Sequence, residues 1–127
     1  MVYIISGSKN SGKTTFAYCL KKILEDCGKS VVILDGDELR EEFPIGYADA
    51  ERWRRVCTIS KLAIIFEKQG VIPIIALALE KREWRDRMRR RFNSSRLIYV
   101  PGGDKLKGGT IYEVPDPKRE KVFYEVR

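Results

Sequence analysis

Short apolar runs and helical stripes alternate along this chain. "VYIIS" (Val2–Ser6) is a continuous apolar run closed by Gly7, as expected of a strand buried on both faces. From Lys13 the period changes: Phe16, Ala17, Leu20, Ile23, Leu24 and Cys27 recur at helical spacing, and Gly28 stands where a helix ends. "SVVILD" (Ser30–Asp35) predicts a second buried strand, and "DGDELREEF" a short helix with acids at its positive end, stopped by Pro44. Ala48–Gly70 sets Trp53, Val56, Ile59, Leu62, Ala63 and Phe66 on one face of a long helix. Val71–Leu79 reads as a third strand with its proline near the start, and Arg96–Val100 as a fourth. Between them Glu80–Asn93 reads as a helix with a narrow stripe of Trp84, Met88 and Phe92. After the loop "PGGDKLKGG", "TIYEV" and "KVFYEV" are short strand-like runs.

Strands alternating with helices predict an α/β fold, a three-layer α/β/α sandwich around a mainly parallel sheet. At 127 residues, with no internal repeat, the chain is expected to be a single domain over residues 1–127. No apolar run approaches the ~20 residues needed to cross a bilayer, and the N-terminus lacks the basic start of a secretion signal. Three cysteines without a C-x-x-C pair argue against a disulfide framework and for a reducing cytoplasm; all three read as small buried hydrophobes. The absence of histidine removes His-based acid–base chemistry, Ser–His triads and most zinc sites. Chemistry is left to carboxylates, lysine, arginine, hydroxyls or a hard cation such as Mg²⁺.

The candidate chemistry begins at "GSKNSGKTT" (Gly7–Thr15). Gly7-x-x-x-x-Gly12-Lys13-Thr14 fits the phosphate-loop pattern, with a strand before it and a helix after it. The glycines let Gly7, Ser8, Lys9, Asn10, Ser11 and Gly12 curl so that backbone N–H groups converge on phosphate oxygens. The helix opening at Lys13 adds its own unsatisfied N–H groups beside Thr14 and Thr15. Lys13 is expected to reach the β- and γ-phosphates of ATP, and the Thr14 hydroxyl to ligate Mg²⁺. Asp35-Gly36-Asp37 puts two carboxylates at the carboxyl end of strand two, the ligand-binding edge of an open α/β sheet. Asp37 could take a proton from an acceptor hydroxyl or hold a metal-bound water; it could equally be the N-cap of the following helix.

"GSKNSGKTT", "LDGDELR", "RRVCTISKLAIIFEKQGVIPIIA" and "REWRDRMRR" follow one another in the order and approximate spacing of adenylylsulfate kinases, which this chain resembles over roughly residues 2–100. The resemblance implies a P-loop kinase fold and transfer of the γ-phosphate of ATP, with Mg²⁺, to the 3′-hydroxyl of adenylylsulfate. D-G-D-x-x-R is its most specific part and stands here as Asp35, Gly36, Asp37 and Arg40. It implies catalytic roles for Lys13 and Asp37, and acceptor contacts from Asp35 and Arg40. It also implies an adenine-stacking place for Tyr47 and an acceptor-binding place for Arg52. For Arg52, Arg54 and Arg55 a solvated helix face is the competing reading.

The chain departs from the family where Ala78-Leu79-Glu80 replaces an Ile-Ser-Pro, and "VPGGDKLKGGTIYEV" is too short for the family's basic lid. Lys105 and Lys107 are candidates to replace part of the lid's charge; a flexible surface turn between strands is the competing reading of this loop.

The net charge of +7 is concentrated. Lys81–Arg96 holds eight basic residues against two acidic ones, including six arginines between Arg82 and Arg91. Arg85 near the acceptor site, a nucleic-acid contact, and a solvated face all remain open for this helix. Function is expected to be phosphate transfer to a small nucleotide-like acceptor, adenylylsulfate first. The alternatives are an ATP-binding module without transfer and a nucleic-acid end kinase or binding protein. No membrane partner is expected; the oligomeric state is left open, a homodimer included.

Overall fold

The structure, a computed structural model, describes residues 1–43, 46, 48–103 and 111–125. The elements are β1 (Val2–Ser6), α1 (Lys13–Asp26), β2 (Val31–Asp35), α2 (Gly36–Glu42), α3 (Asp49–Lys68), β3 (Ile72–Ala76), α4 (Arg82–Arg89), β4 (Ser95–Tyr99) and β5 (Val122–Glu125). They form one five-stranded sheet in the order β2-β3-β1-β4-β5, and every pairing is parallel.

Alternation along each strand divides the core into two layers. Val2, Ile4, Leu34, Ile75 and Leu97 face α3 and α4, where they meet Val56, Ile59, Ala63, Trp84 and Met88. Ile5, Ile74, Ala76, Ile98 and Val100 face the other way, against Ala17 of α1. Helices therefore cover both faces of the sheet, which is the arrangement that continuous apolar strands require. Pro73 lies in β3 between β1 and β2. The Ile72 amide donates to Ser30 beside β2, so the neighbouring position points toward β1, whose pairing with β3 begins only at Ile74. The donor that proline lacks thus falls just outside that ladder.

Several expectations are corrected. α1 buries only Ala17 fully, with Phe16, Leu20 and Leu24 half-buried; Ile23 is 61% exposed. Cys19 and Cys27 are exposed and Cys57 is half-buried, so the cysteines are not core hydrophobes. α4 ends at Arg89, well short of Asn93. β3 stops at Ala76, and residues 111–116 form no strand, whereas β5 pairs with β4. Among the described residues no helix is long and apolar enough to cross a membrane.

Candidate active site

The phosphate loop leaves β1 at Ser6 and enters α1 at Lys13. A Cβ on Gly7 would collide with the Val100 carbonyl oxygen just past the end of β4, so the loop passes there more closely than any other residue allows. Gly12 caps α1 at φ +103°, a left-handed conformation that glycine adopts without strain, and no side chain caps the helix. The first amides of α1 are therefore directed into the space beyond Gly12. The Lys13 ammonium donates to the Ser8 carbonyl at 2.8 Å, across the loop. Burial lowers the Lys13 pKa, and the negative charges of Asp37, Asp35 and Glu80 oppose that shift. Ser11 turns its amide onto the Ser8 carbonyl. Lys9, Asn10 and Thr15 line the cleft above the loop.

Asp35 joins this loop to α2. Its Oδ2 accepts from the Thr14 hydroxyl at 2.7 Å, and its Oδ1 accepts from the Asp37 amide at 2.8 Å. Asp35 is thus the N-cap of α2, because that helix begins at Gly36, two residues earlier than the capping alternative for Asp37 requires. Its carboxylate is buried and committed to Thr14 and α2. Asp37 stands in the first turn with its side chain exposed to the cleft. The Thr14–Asp35 oxygen pair suits Mg²⁺, which takes one or two protein oxygens together with phosphate oxygens and water.

Arg40, Arg52 and Arg55 line the same cleft, whose volume is about 930 Å³. Arg52 is 4% exposed and is not part of a solvated face. Its Nη1 donates to Glu80 Oε1 at 2.8 Å, a salt bridge with both side chains buried. Burial lowers the Arg55 pKa and adjacent Arg40 lowers it further, while Glu80 and Asp37 oppose the shift. Three guanidinium groups gathered in one recess make a strong anion site. Tyr47 and Lys107, with Lys105, lie outside the described residues. Glu80 was visible in the sequence only as a departure from a family pattern, yet it is the buried acid at the base of this recess.

The arginines of α4 do other work. Arg85 is fully buried: its Nε and Nη2 grip Glu120 at 2.7 and 2.8 Å, and its Nη1 donates to the Leu79 carbonyl. Arg87 lies over the Trp53 ring at 4.2 Å, and Arg89 donates to the Lys121 carbonyl at 2.8 Å. Arg90 and Arg91 remain exposed.

Residues 1–103 match the family described as adenylylsulphate kinase. A "Probable adenylyl-sulfate kinase" of Archaeoglobus fulgidus is 33% identical over 97 residues, covering 75% of this chain and 63% of that protein. The adenylyl-sulfate kinase of Escherichia coli (strain K12 / DH10B) is 30% identical over 120 residues, 93% of this chain and 58% of that protein. The chain thus spans about three fifths of the length of the curated relatives it matches. Among solved structures, an APS kinase CysC of Mycobacterium tuberculosis has a TM-score of 0.81 at 20% identity, covering 98% of this chain and 83% of that one. A sugar kinase from Janibacter sp. HTCC2649 has a TM-score of 0.69 at 19% identity, covering 98% and 84%. At such identities these likenesses concern the fold alone.

Proposed function

The chain belongs to the adenylylsulphate kinase family, and on that premise we propose that it transfers the γ-phosphate of ATP to the 3′-hydroxyl of adenylylsulfate. One observation carries the proposal: a single cleft is lined both by the phosphate loop and by Arg40, Arg52 and Arg55. A nucleotide donor and an anionic acceptor would each find cationic groups in such a cleft. A single-domain chain acting in the cytoplasm is part of the same reading.

The loop amides, the N-terminus of α1 and Lys13 hold the ATP phosphates and neutralise their charge. Thr14 and Asp35 would hold Mg²⁺, which screens the phosphate oxygens when bound. The arginines fix the sulfate and phosphate of the acceptor, so that its hydroxyl faces the γ-phosphorus. Asp37 takes the hydroxyl proton as the new O–P bond forms and the bond to ADP breaks. Arg85, Arg87 and Arg89, tied into the fold, weigh against the nucleic-acid alternative.

The test is ADP release from MgATP with and without adenylylsulfate. Release that depends on adenylylsulfate, and that falls in Asp37→Asn with nucleotide binding intact, is the expected outcome. Tight nucleotide binding without acceptor-dependent turnover would instead favour a module that binds ATP and transfers nothing.

A further inference from the structure

The turn that follows β3 is held more firmly than its length requires. Three successive carbonyls, of Ala78, Leu79 and Glu80, each accept a hydrogen bond of 2.7 Å from a different segment. The donors are the Ser6 hydroxyl at the end of β1, Arg85 Nη1 on α4, and the Glu113 amide. Between the outer two, Leu79 adopts φ +47° with a fully buried side chain, a left-handed conformation that bulky residues rarely keep unless their surroundings impose it. The turn leads directly to Glu80, whose carboxylate meets Arg52 at 2.8 Å in the cleft.

Arg85 is the hub of this arrangement. Besides Leu79 it holds both oxygens of Glu120 and the Glu113 carbonyl, and so docks residues 112–120 against the turn. Tyr112 completes the seam: its hydroxyl is hydrogen-bonded to Ser6 Oγ, its ring stacks on Tyr99 at 5.8 Å, and Arg85 lies over it at 5.4 Å. Each contact tightens a segment that ends at a cleft residue: Ser6 precedes the phosphate loop, and Glu80 precedes Arg52 in the chain of contacts.

We propose that Arg85 is a positioning residue for the acceptor side of the cleft. Together with Ser6 and Glu113, it fixes the Ala78–Glu80 turn so that Glu80 holds the Arg52 guanidinium ready for an anionic nucleotide. The proposal rests on the reading that Arg52 faces the acceptor. It goes further in giving a specificity role to an arginine with no access to the ligand and to an acid the family pattern lacks.

The test has two readouts. In nitrogen-labelled free protein, NMR signals of the Arg52 guanidinium, assigned by their loss in Arg52→Lys, report whether that group is held. Calorimetry reports the affinity of the protein for MgADP, and of the MgADP-loaded protein for adenylylsulfate. Resolved Arg52 signals are expected in the native protein and averaged ones in Glu80→Gln and Arg85→Lys. Both variants are expected to lose about tenfold in adenylylsulfate affinity, in line with the entropy of re-ordering one long side chain, while MgADP affinity holds. If Arg85→Lys does not fold, Ser6→Ala removes one bond of the turn with Arg85 intact, and the same effects are expected at smaller size. Unchanged Arg52 signals, or parallel losses of both ligands, would overturn the proposal. A native protein that binds MgADP but no adenylylsulfate would overturn the acceptor reading alone; the Arg52 signals would still decide whether Arg85 positions that group.

Discussion

The arginines of α3 and those of α4 sit on helices packed against each other, joined where Trp53 and Trp84 meet at 6.2 Å. They are used in opposite ways. Arg52 and Arg55 of α3, with Arg40 of α2, line the cleft and concentrate positive charge beside Glu80. Arg85, Arg87 and Arg89 of α4 turn to the protein itself: Arg85 is buried on Glu120, Arg87 lies over Trp53 at the surface, and Arg89 bonds Ser95 and the Lys121 carbonyl. What separates the cleft arginines from Arg85 is the set of fixed acceptors within reach. Where a buried carboxylate and two carbonyls converge, as around Arg85, the guanidinium makes four hydrogen bonds within the fold. In the cleft, three guanidiniums stand close enough for Arg40 and Arg52 to lower the Arg55 pKa, with Glu80 and Asp37 opposing that shift.

The comparison is broken most easily by truncating one arginine of each kind. Arg85→Ala leaves Glu120 buried without its cation and is expected to cost about 3–5 kcal/mol of stability in urea unfolding. Arg55→Ala is expected to stay within about 1 kcal/mol of the native protein, as a half-exposed position should. Similar stability losses in the two would mean that the division is not real. Arg55→Ala should instead weaken adenylylsulfate binding by about tenfold or more, the scale of one hydrogen bond to a charged group, with MgADP affinity held. Calorimetry separates the two ligands. Arg87→Ala, which removes a contact over an aromatic face, is expected to lower stability by about 0.5–1 kcal/mol and leave both affinities alone.

Much of the fold was legible because its causes are local. Four strands announce themselves as apolar runs, and the phosphate loop follows from glycine spacing within eight residues. The apolar spacing of α1 promises a wider buried face than packing on the sheet uses: Ala17 and three half-buried neighbours suffice, and Ile23 and Cys27 stay in solvent. The candidate site was legible on its donor side and not on the other. Asp35 looks like a ligand residue in sequence, but its bonds to Thr14 and to the start of α2 appear only when β1 and β2 are set two strands apart. Arg85 looks the same whether solvated or buried, because its partner Glu120 is 35 residues away. Glu80 acquires its place from Ser6, Arg85 and Glu113, which no short pattern connects.

The narrowest effect concerns the seam behind the cleft. Burial pushes the Tyr112 hydroxyl up to about 12 from its usual 10.0. In the unfolded chain the phenol ionises near its ordinary value, while the folded protein retains the proton. The stability this contributes is complete below pH 10 and is lost as pH rises toward about 12. Thermal melts should show this alkaline loss in the native protein and a shallower one in Tyr112→Phe; identical slopes would remove Tyr112 from the seam.

The central claim is that one cleft brings a bound polyphosphate to an anionic nucleotide held by the α2 and α3 arginines. It is tested most directly by incubating the protein with MgATP labelled in the γ-phosphate and adenylylsulfate, and asking where the label goes. The account predicts label on the 3′-position of adenylylsulfate in the native protein and a loss of about two to four orders of magnitude in Asp37→Asn, the range for removing a general base. Label that stays in ATP or leaves only as inorganic phosphate, from protein shown to bind both ligands, would contradict it.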